Sequence, residues 1–196
     1  PGVRFLCDPL DGRERNNDLT DQLMRMFSAA RHSIYIESPY LYLTPEFRDT
    51  LAAARKRGAR VIILTNSINS NDVMLAHAGY ESQRPMMQSL GFELYEFRGP
   101  RTLHSKSFLV DDQIAVVGSF NLDPRSENRD TQVAIQVNNR RFAMALKASI
   151  ESDLAQSDPA STDPVQLPMI FSDLPAERRL YFGVSRIFAP LIQGEL

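Results

Sequence analysis

The chain has no tryptophan, a single cysteine and no excess of charge of one sign among its 196 residues. Its one cysteine, Cys7, has no partner for an internal disulfide, so the fold must be held by other interactions. A formal net charge of −2 argues against nucleic-acid binding through a broadly basic surface. No apolar run approaches the roughly 20 residues that span a bilayer. These absences leave a domain of ordinary composition, long enough for a sizeable core.

Apolar residues recur with alternating helical and strand periodicity along the first 155 residues. Helical spacing over 18–30 is followed by a strand-like run over 33–37 and a helix that begins at Pro45. A buried strand-like run over 60–65 and a helix over 140–154 continue the alternation. The pattern predicts an α/β fold with a mixed, largely parallel sheet and helices on both faces.

The composition changes after residue 155. Several prolines punctuate 156–175, and apolar residues then return at helical spacing with interspersed arginines. We therefore expect a folded domain over 1–155, a proline-containing linker over 156–175 and an amphipathic helix or tail over 176–196. That helix either packs on the domain, the interpretation we favour, or lies on a membrane surface.

The most specific feature of the chain is a set of polar residues at fixed spacing. The pattern is H-x-K-x4-D-x6-G-S-x-N, formed by His104, Lys106, Asp111, Gly118, Ser119 and Asn121. It continues as NLDPRS over 121–126. Two strand-like runs, over 107–110 and 114–117, flank a turn at Asp111, and strand alternation puts His104 and Lys106 on one face. A buried hairpin with a polar end would explain neither the full spacing nor the NLDPRS run.

These residue types suit chemistry on a phosphodiester, which is anionic and needs positive charge and hydrogen-bond donors around its oxygens. Lys106 supplies a compact cation, and Ser119 and Asn121 supply neutral donors, joined by backbone amides near Gly118. Histidine changes charge near neutral pH, so His104 can act as nucleophile or as proton donor. No metal or other cofactor is required if lysines neutralise the phosphate.

The motif resembles the His-Lys-Asp motif of the phospholipase D superfamily, and the NLDPRS run is most similar to its bacterial cardiolipin synthase branch. The resemblance implies a half module with His104, Lys106 and Asp111 as catalytic residues. Asp111 is expected to support the geometry of the motif more than to touch substrate. Ser119, Asn121 and Gly118 are expected to bind the substrate phosphate.

The same resemblance implies transfer of a phosphatidyl group through a phosphohistidine, with a phosphatidylglycerol-like phospholipid as substrate. It further implies a peripheral enzyme of the bacterial cytoplasmic membrane. The alternatives are a phospholipase D or a nuclease that uses water, and a catalytically weakened module.

Only one copy of the motif is present, because His32 and His77 lack a lysine two residues further on. Members of the superfamily build their site from two such motifs, so the chain is expected to supply half a site. The other half is either a missing N-terminal part with a second motif, which we favour, or a second copy in a homodimer.

One position departs from the family pattern. Gln132 stands where the superfamily usually has a glutamate that supports the motif histidine. Gln132 is expected to orient His104 through its amide oxygen without adding charge, so Gln132→Glu should raise the rate. Tyr40 and Asn66 follow two predicted strands and are candidates for the substrate pocket.

Overall fold

The computed structural model describes residues 2–9, 18–161 and 175–188. Its strands are β1 (Gly2–Cys7), β2 (Ser33–Glu37), β3 (Arg60–Asn66), β4 (Glu93–Phe97), β5 (Ser107–Val110), β6 (Ile114–Gly118), β7 (Val133–Asn138) and β8 (Ser157–Pro159). Its helices are α1 (Asp18–Ala29), α2 (Pro45–Lys56), α3 (Met74–Ser89), α4 (Pro124–Asn128), α5 (Arg140–Leu154) and α6 (Ala176–Phe188).

Within the described residues the strands form one sheet in the order β1-β7-β6-β5-β2-β3-β4-β8. The mixed α/β fold is confirmed, but the expectation that most strand pairs are parallel was wrong. Only the β2–β3 and β3–β4 pairs are parallel, and the other neighbouring pairs are antiparallel. The reason lies in the connections, since the tight turn between β5 and β6 cannot cross the sheet as α2 and α3 do.

Helices cover both faces of the sheet, as predicted. On one face α1, α2 and α3 bury side chains such as Phe27, Leu51 and Tyr80 against the apolar sides of the strands. On the other face Ala143 and Ile150 of α5 pack in a smaller cluster with strand residues. Burial of this aliphatic and aromatic surface is the main stabilising term for such a fold.

The domain reaches slightly beyond the predicted boundary at residue 155. Residues 157–159 form β8, an edge strand paired with β4, and most of the predicted linker lies outside the described residues. The terminal helix α6 packs against α3. Its residues Leu180, Tyr181 and Val184 nevertheless remain 73%, 58% and 43% exposed. No helix in the described ranges is both long and apolar enough to cross a bilayer.

One edge of the sheet gathers the ends of five strands. The carboxyl ends of β2, β3 and β6 meet the amino ends of β5 and β7 there, because β2 and β6 are both antiparallel to β5. The segments that carry the polar residues of the motif leave the sheet at this edge. Side chains distant in the sequence are therefore brought together.

Candidate active site

The motif histidine and lysine are in direct contact. The Lys106 ammonium nitrogen lies 3.1 Å from Nδ1 of His104. An ammonium group can only donate, so Nδ1 accepts and a neutral His104 carries its proton on Nε2. Burial lowers the pKa of Lys106, while the carboxylates of Asp123 and Asp72 act in the opposite direction.

Tyr40, a pocket candidate from the sequence, lies against the histidine. Its ring meets the His104 ring edge-on, with 6.0 Å between centroids. Its hydroxyl donates a 3.0 Å hydrogen bond to Asp72. Burial, together with Asp72, raises the pKa of Tyr40 to about 12, so the hydroxyl stays a donor at neutral pH. The sequence interpretation missed Asp72, although its place after β3, at the same sheet edge as Tyr40, was an available signal.

Asn66, the other pocket candidate, holds the backbone around the site. The side chain is fully buried. Its amide nitrogen donates to the carbonyl oxygens of Pro39 (3.2 Å) and Leu103 (2.9 Å), and its oxygen accepts from the Leu103 N–H (2.9 Å). Asn66 therefore fixes the residue directly before His104.

The end of β6 is packed closely against β7. A side chain at Gly118 would collide with the Val133 carbonyl oxygen and with Ala134, so glycine is needed for strand packing. Ser119 follows, and its hydroxyl donates to the Gln132 amide oxygen. It also accepts from the Val133 N–H at 3.1 Å. The hydroxyl predicted to bind phosphate is thus tied to β7.

The predicted support of His104 by Gln132 is absent from the described contacts. The oxygen of Gln132 accepts from Ser119, and its backbone N–H donates to Asp8. The reason is local, because Gln132 precedes β7 beside the end of β6, where the Ser119 hydroxyl is a near donor. In this structure Gln132 supports Ser119.

Asp111 lies at the opposite end of β5 from His104, which argues against its assignment to the catalytic set. Its carboxylate accepts from the backbone N–H groups of Arg31, His32 and Ser33. These hydrogen bonds lower its pKa against the opposing effect of burial. Asp111 and Asp112 both adopt positive φ, as the tight turn of a hairpin requires. Asp111 therefore anchors the hairpin to the start of β2.

Asn121 and Asp123 begin the segment after β6 and line a cavity of about 420 Å³. The Asp123 carboxylate caps α4 by accepting from the Ser126 N–H at 2.7 Å. Burial raises the pKa of Asp123 to about 6 against the lowering effect of its hydrogen bonds. At neutral pH a carboxylate therefore lies near Lys106.

The arginines near the motif are paired with surface carboxylates. Arg98 contacts Asp158 at 2.9 Å, and Arg125 contacts Asp130 at 3.1 Å. Both arginines are more than half exposed, so each pair contributes at most about 1 kcal/mol to stability. These two cations do not form an unpaired basic surface.

Glu37 lies on β2, the strand beside the motif strand β5, and is only 2% exposed. It accepts a hydrogen bond from the Ser107 hydroxyl across the β2–β5 pair. Burial raises the pKa of Glu37 to about 7, the Ser107 hydrogen bond lowers it and nearby Asp153 raises it further. The group therefore changes charge close to neutral pH.

The mixed sheet places a His–Lys pair with hydroxyl and amide groups at one edge, and comparison with known families identifies the chain as a module of the phospholipase D superfamily. The chain belongs to the family described as "Cardiolipin synthase, PLD-like domain", whose model matches residues 23–154.

Similar proteins agree with this family. The chain is 30% identical over 159 residues to cardiolipin synthase C of Escherichia coli K12, covering 71% of this chain and 34% of that protein. It is 27% identical over 158 residues to cardiolipin synthase B of the same strain, covering 81% of this chain and 37% of the relative. The chain therefore spans little more than a third of the length of these relatives.

Two solved structures share the fold. The phospholipase D family member Nuc from Salmonella typhimurium aligns with a TM-score of 0.65 and 21% identity, over 82% of this chain and 99% of that one. Phosphatidylserine synthase from Haemophilus influenzae Rd KW20 aligns with a TM-score of 0.76 and 16% identity, over 99% of this chain and 48% of its own. Both identities are low, so these likenesses concern the fold alone.

Glu37→Gln should stabilise the protein in a pH-dependent way. The folded carboxyl has a pKa of about 7, against the ordinary glutamate value of 4.5 in the unfolded chain, so wild-type stability falls as pH rises between these values. Glutamine does not titrate and so avoids this loss. The gain in the free energy of unfolding should reach about 3 kcal/mol at pH 8 and vanish near pH 4. Thermal unfolding at several pH values measures it. Glu93→Gln, which removes a partner of Arg60, should give no such gain, and a pH-independent effect of Glu37→Gln would contradict the assignment.

The Ser119–Gln132 contact predicts that the acceptor at residue 132 matters more than its charge. In the full-length protein, Gln132→Leu should lower turnover about tenfold, the value of one lost hydrogen bond, and Gln132→Glu should stay within about threefold of wild type. Steady-state rates test this, with Gln136→Leu as a control for losing a buried glutamine of β7. A large gain in Gln132→Glu would instead show that the carboxylate supports His104.

Proposed function

We propose that this chain supplies one half of a phosphatidyltransferase of the cardiolipin synthase type, acting on a phosphatidylglycerol-like lipid. The observation that carries the proposal is the His104–Lys106 contact at the sheet edge, within a chain of the cardiolipin synthase family. Lys106 would neutralise the phosphate and Asn121 would donate to one of its oxygens, while the Ser119 hydroxyl, whose proton goes to Gln132, would hold the end of β6 beside them.

The tautomer of His104 favours a role in proton transfer. Because Lys106 donates to Nδ1, the neutral ring offers an Nε2–H toward a bound group. Gln132, which stands where the superfamily usually has a glutamate, contacts Ser119 through its side chain. Among its described contacts it therefore places no carboxylate beside this imidazole. We therefore assign nucleophilic attack to the histidine of the second motif and general acid–base work to His104.

The two steps balance as follows. The partner histidine nitrogen bonds to phosphorus while the bond from phosphorus to the leaving headgroup oxygen breaks. That oxygen takes the proton from His104 Nε2 while Nδ1 takes a proton from Lys106, so the ring stays neutral. The acceptor hydroxyl then attacks phosphorus, the phosphorus–nitrogen bond breaks, the hydroxyl proton returns to His104 Nε2, and Nδ1 returns its proton to Lys106. Lys106 faces the anionic phosphate throughout.

An exposed apolar strip beside the site supports pairing with a second half. The strip comprises Val3, Phe5, Val117, Val133 and Ile135, which share one face of three neighbouring strands and are each at least 40% exposed. It lies next to the end of β6, directly beside Ser119. A second half-domain, or a second copy of the chain, covering this strip would bury apolar surface and reach the site.

Peripheral membrane contact is part of the proposal. Leu180, Tyr181 and Val184 leave an exposed apolar side on α6, with Arg179 exposed near them. A helix with this composition suits the interface of a bilayer that contains anionic lipid. The expected location is the surface of the bacterial cytoplasmic membrane.

Hydrolysis is the second candidate function, because the same intermediate can be attacked by water. A nuclease is less favoured, since two arginines near the motif are already paired with carboxylates. Gln132 leaves a catalytically weakened module as a further alternative.

His104→Ala should abolish transfer. The full-length protein would be given phosphatidylglycerol vesicles without added metal, and the lipid products would be separated. Wild type should form cardiolipin, and His104→Ala should lose about 10²–10⁴-fold in rate because proton transfer is removed. His32→Ala, at an exposed histidine that lies away from the site, should have little effect. Phosphatidic acid as the main product would indicate hydrolysis, and cleavage of DNA with no lipid turnover would overturn the proposal.

Phe5→Glu should disfavour pairing with a second half while leaving this domain folded. Phe5 is 69% exposed in this chain, so a carboxylate there should leave the domain folded but disfavour an apolar contact. In the full-length protein we expect lipid turnover to fall at least tenfold with an unchanged far-ultraviolet circular dichroism spectrum. Arg4→Glu puts a carboxylate on the same strand but on the opposite face and should be tolerated. Full activity of Phe5→Glu would show that the strip is not the pairing surface.

A further inference from the structure

The chain carries a buried histidine that takes no part in the proposed chemistry. His77 lies in the first turn of α3 and is only 1% exposed. Burial lowers its pKa to about 3, the Arg84 guanidinium acts in the same direction, and a hydrogen bond to the backbone of Asn66 opposes both. The ring is therefore neutral at physiological pH and carries a single N–H. An imidazole is costly to bury unless this N–H has an acceptor, and here the acceptor is Asn66.

The hydrogen bond to Asn66 lies at the end of a strand. Because this bond raises the pKa of the ring, His77 is the donor and the Asn66 carbonyl oxygen is the acceptor. Asn66 is the last residue of β3, and it lies opposite Phe97, the last residue of β4. The next N–H of that chain segment, from Arg98, donates to the Gln156 carbonyl oxygen at 3.1 Å. His77 thus supplies a donor to Asn66 where the ladder between the two strands stops.

Asn66 connects this contact to the candidate active site. Its carbonyl oxygen is held from α3, while its side-chain amide holds the backbone of Pro39 and Leu103. Tyr40 and His104 follow these two residues directly in the sequence. A shift of Asn66 would therefore displace both rings of the site. Small displacements of a catalytic group cost large factors in rate.

Neighbouring side chains fix the direction of the His77 ring. The Tyr80 ring packs against it with 5.7 Å between centroids, and the Tyr80 hydroxyl donates to Glu96 at 2.9 Å. The Arg84 guanidinium donates to Glu81 at 2.8 Å and to Glu96 at 2.9 Å. The Glu81 carboxylate in turn lies 3.6 Å from Nε2 of His77. The imidazole is therefore held between an aromatic ring and a largely buried ionic network, which suits a donor that must keep one direction.

We propose that His77 is a positioning residue for His104 and acts through Asn66. The His77 N–H holds the Asn66 carbonyl oxygen, and the Asn66 amide holds the residue before His104. The contact between His104 Nδ1 and Lys106 is thereby kept. The effect of His77 on turnover rests on the proposed transferase function, whereas its effect on the His104 ring depends on the fold alone.

Turnover and the tautomer of His104 test this role in the full-length protein. With phosphatidylglycerol vesicles, His77→Leu should lower kcat at least about tenfold and change KM less than about threefold, because a buried carbonyl loses its donor. His77→Gln keeps an N–H donor and should recover most of the rate. In nitrogen-15 spectra at mildly alkaline pH, assigned with His104→Ala, the His104 ring should carry its proton on Nε2 in wild type and in His77→Gln. The same ring should show both tautomers in His77→Leu.

Tyr80→Phe is the matched control, because it removes a buried hydrogen bond of the same helix to Glu96 and leaves Asn66 untouched. Its kcat and His104 spectrum should match wild type. An unchanged His104 spectrum in folded His77→Leu, or an equal loss of rate in His77→Leu and His77→Gln, would overturn the positioning role. Should His77→Leu fail to fold, His77→Met fills the space without a donor and is held to the same outcomes. Absence of lipid turnover from wild type would overturn the proposed function, and the His104 spectra would still decide the role of His77.

Discussion

Asn66 joins three segments that lie far apart in the sequence. It ends β3, and its single amide group binds the backbone after β2 at Pro39 and the backbone before β5 at Leu103. All three groups are buried, so each unmade hydrogen bond would cost about 1–3 kcal/mol. Tyr40 and His104 follow directly from these two anchored positions. The contact between their rings, and hence the shape of the site, depends on this one amide.

A second constraint acts from the far end of the motif strand. Asp111 fixes the hairpin to the first residues of β2 through backbone N–H groups, and Ser107 meets Glu37 in the same strand pair. The strand that carries the motif is therefore tied to β2 at both ends. Side chains at its amino end gain a fixed direction without themselves being buried, which suits groups that must contact substrate.

Much of this arrangement could be predicted from the sequence, because it depends on local patterns. Periodicity located the strands and helices, and the motif spacing predicted that His104 and Lys106 would share a face. The sequence pattern could not predict which side chains contact each other at the strand ends. Gln132 contacts Ser119 and not His104, and Asp72 reaches Tyr40, because of registers and loop paths that depend on tertiary packing. The same limit explains the overestimate of parallel pairing.

In helix α3 the local propensity of the sequence and the folded structure disagree. A proline inside a helix usually interrupts it, yet Met74–Ser89 is one continuous helix that runs through Pro85. Residues on both sides of the proline, Tyr80 and Met87, are fully buried, and the free energy of this burial offsets the lost backbone hydrogen bond. Local propensity was overridden where a packed face continued through the proline.

The charges around Lys106 bear on the proposed pairing with a second half. Lys106 is opposed by Asp72 and Asp123, both close enough to favour its charged form. These carboxylates act against the effect of burial on the lysine, but they also leave little net positive charge for a phosphodiester. A second motif, with its own lysine, would supply the missing cation and a second histidine at the same phosphorus. Pairing through the apolar strip would therefore add positive charge at the phosphate as well as bring the second histidine to the same phosphorus.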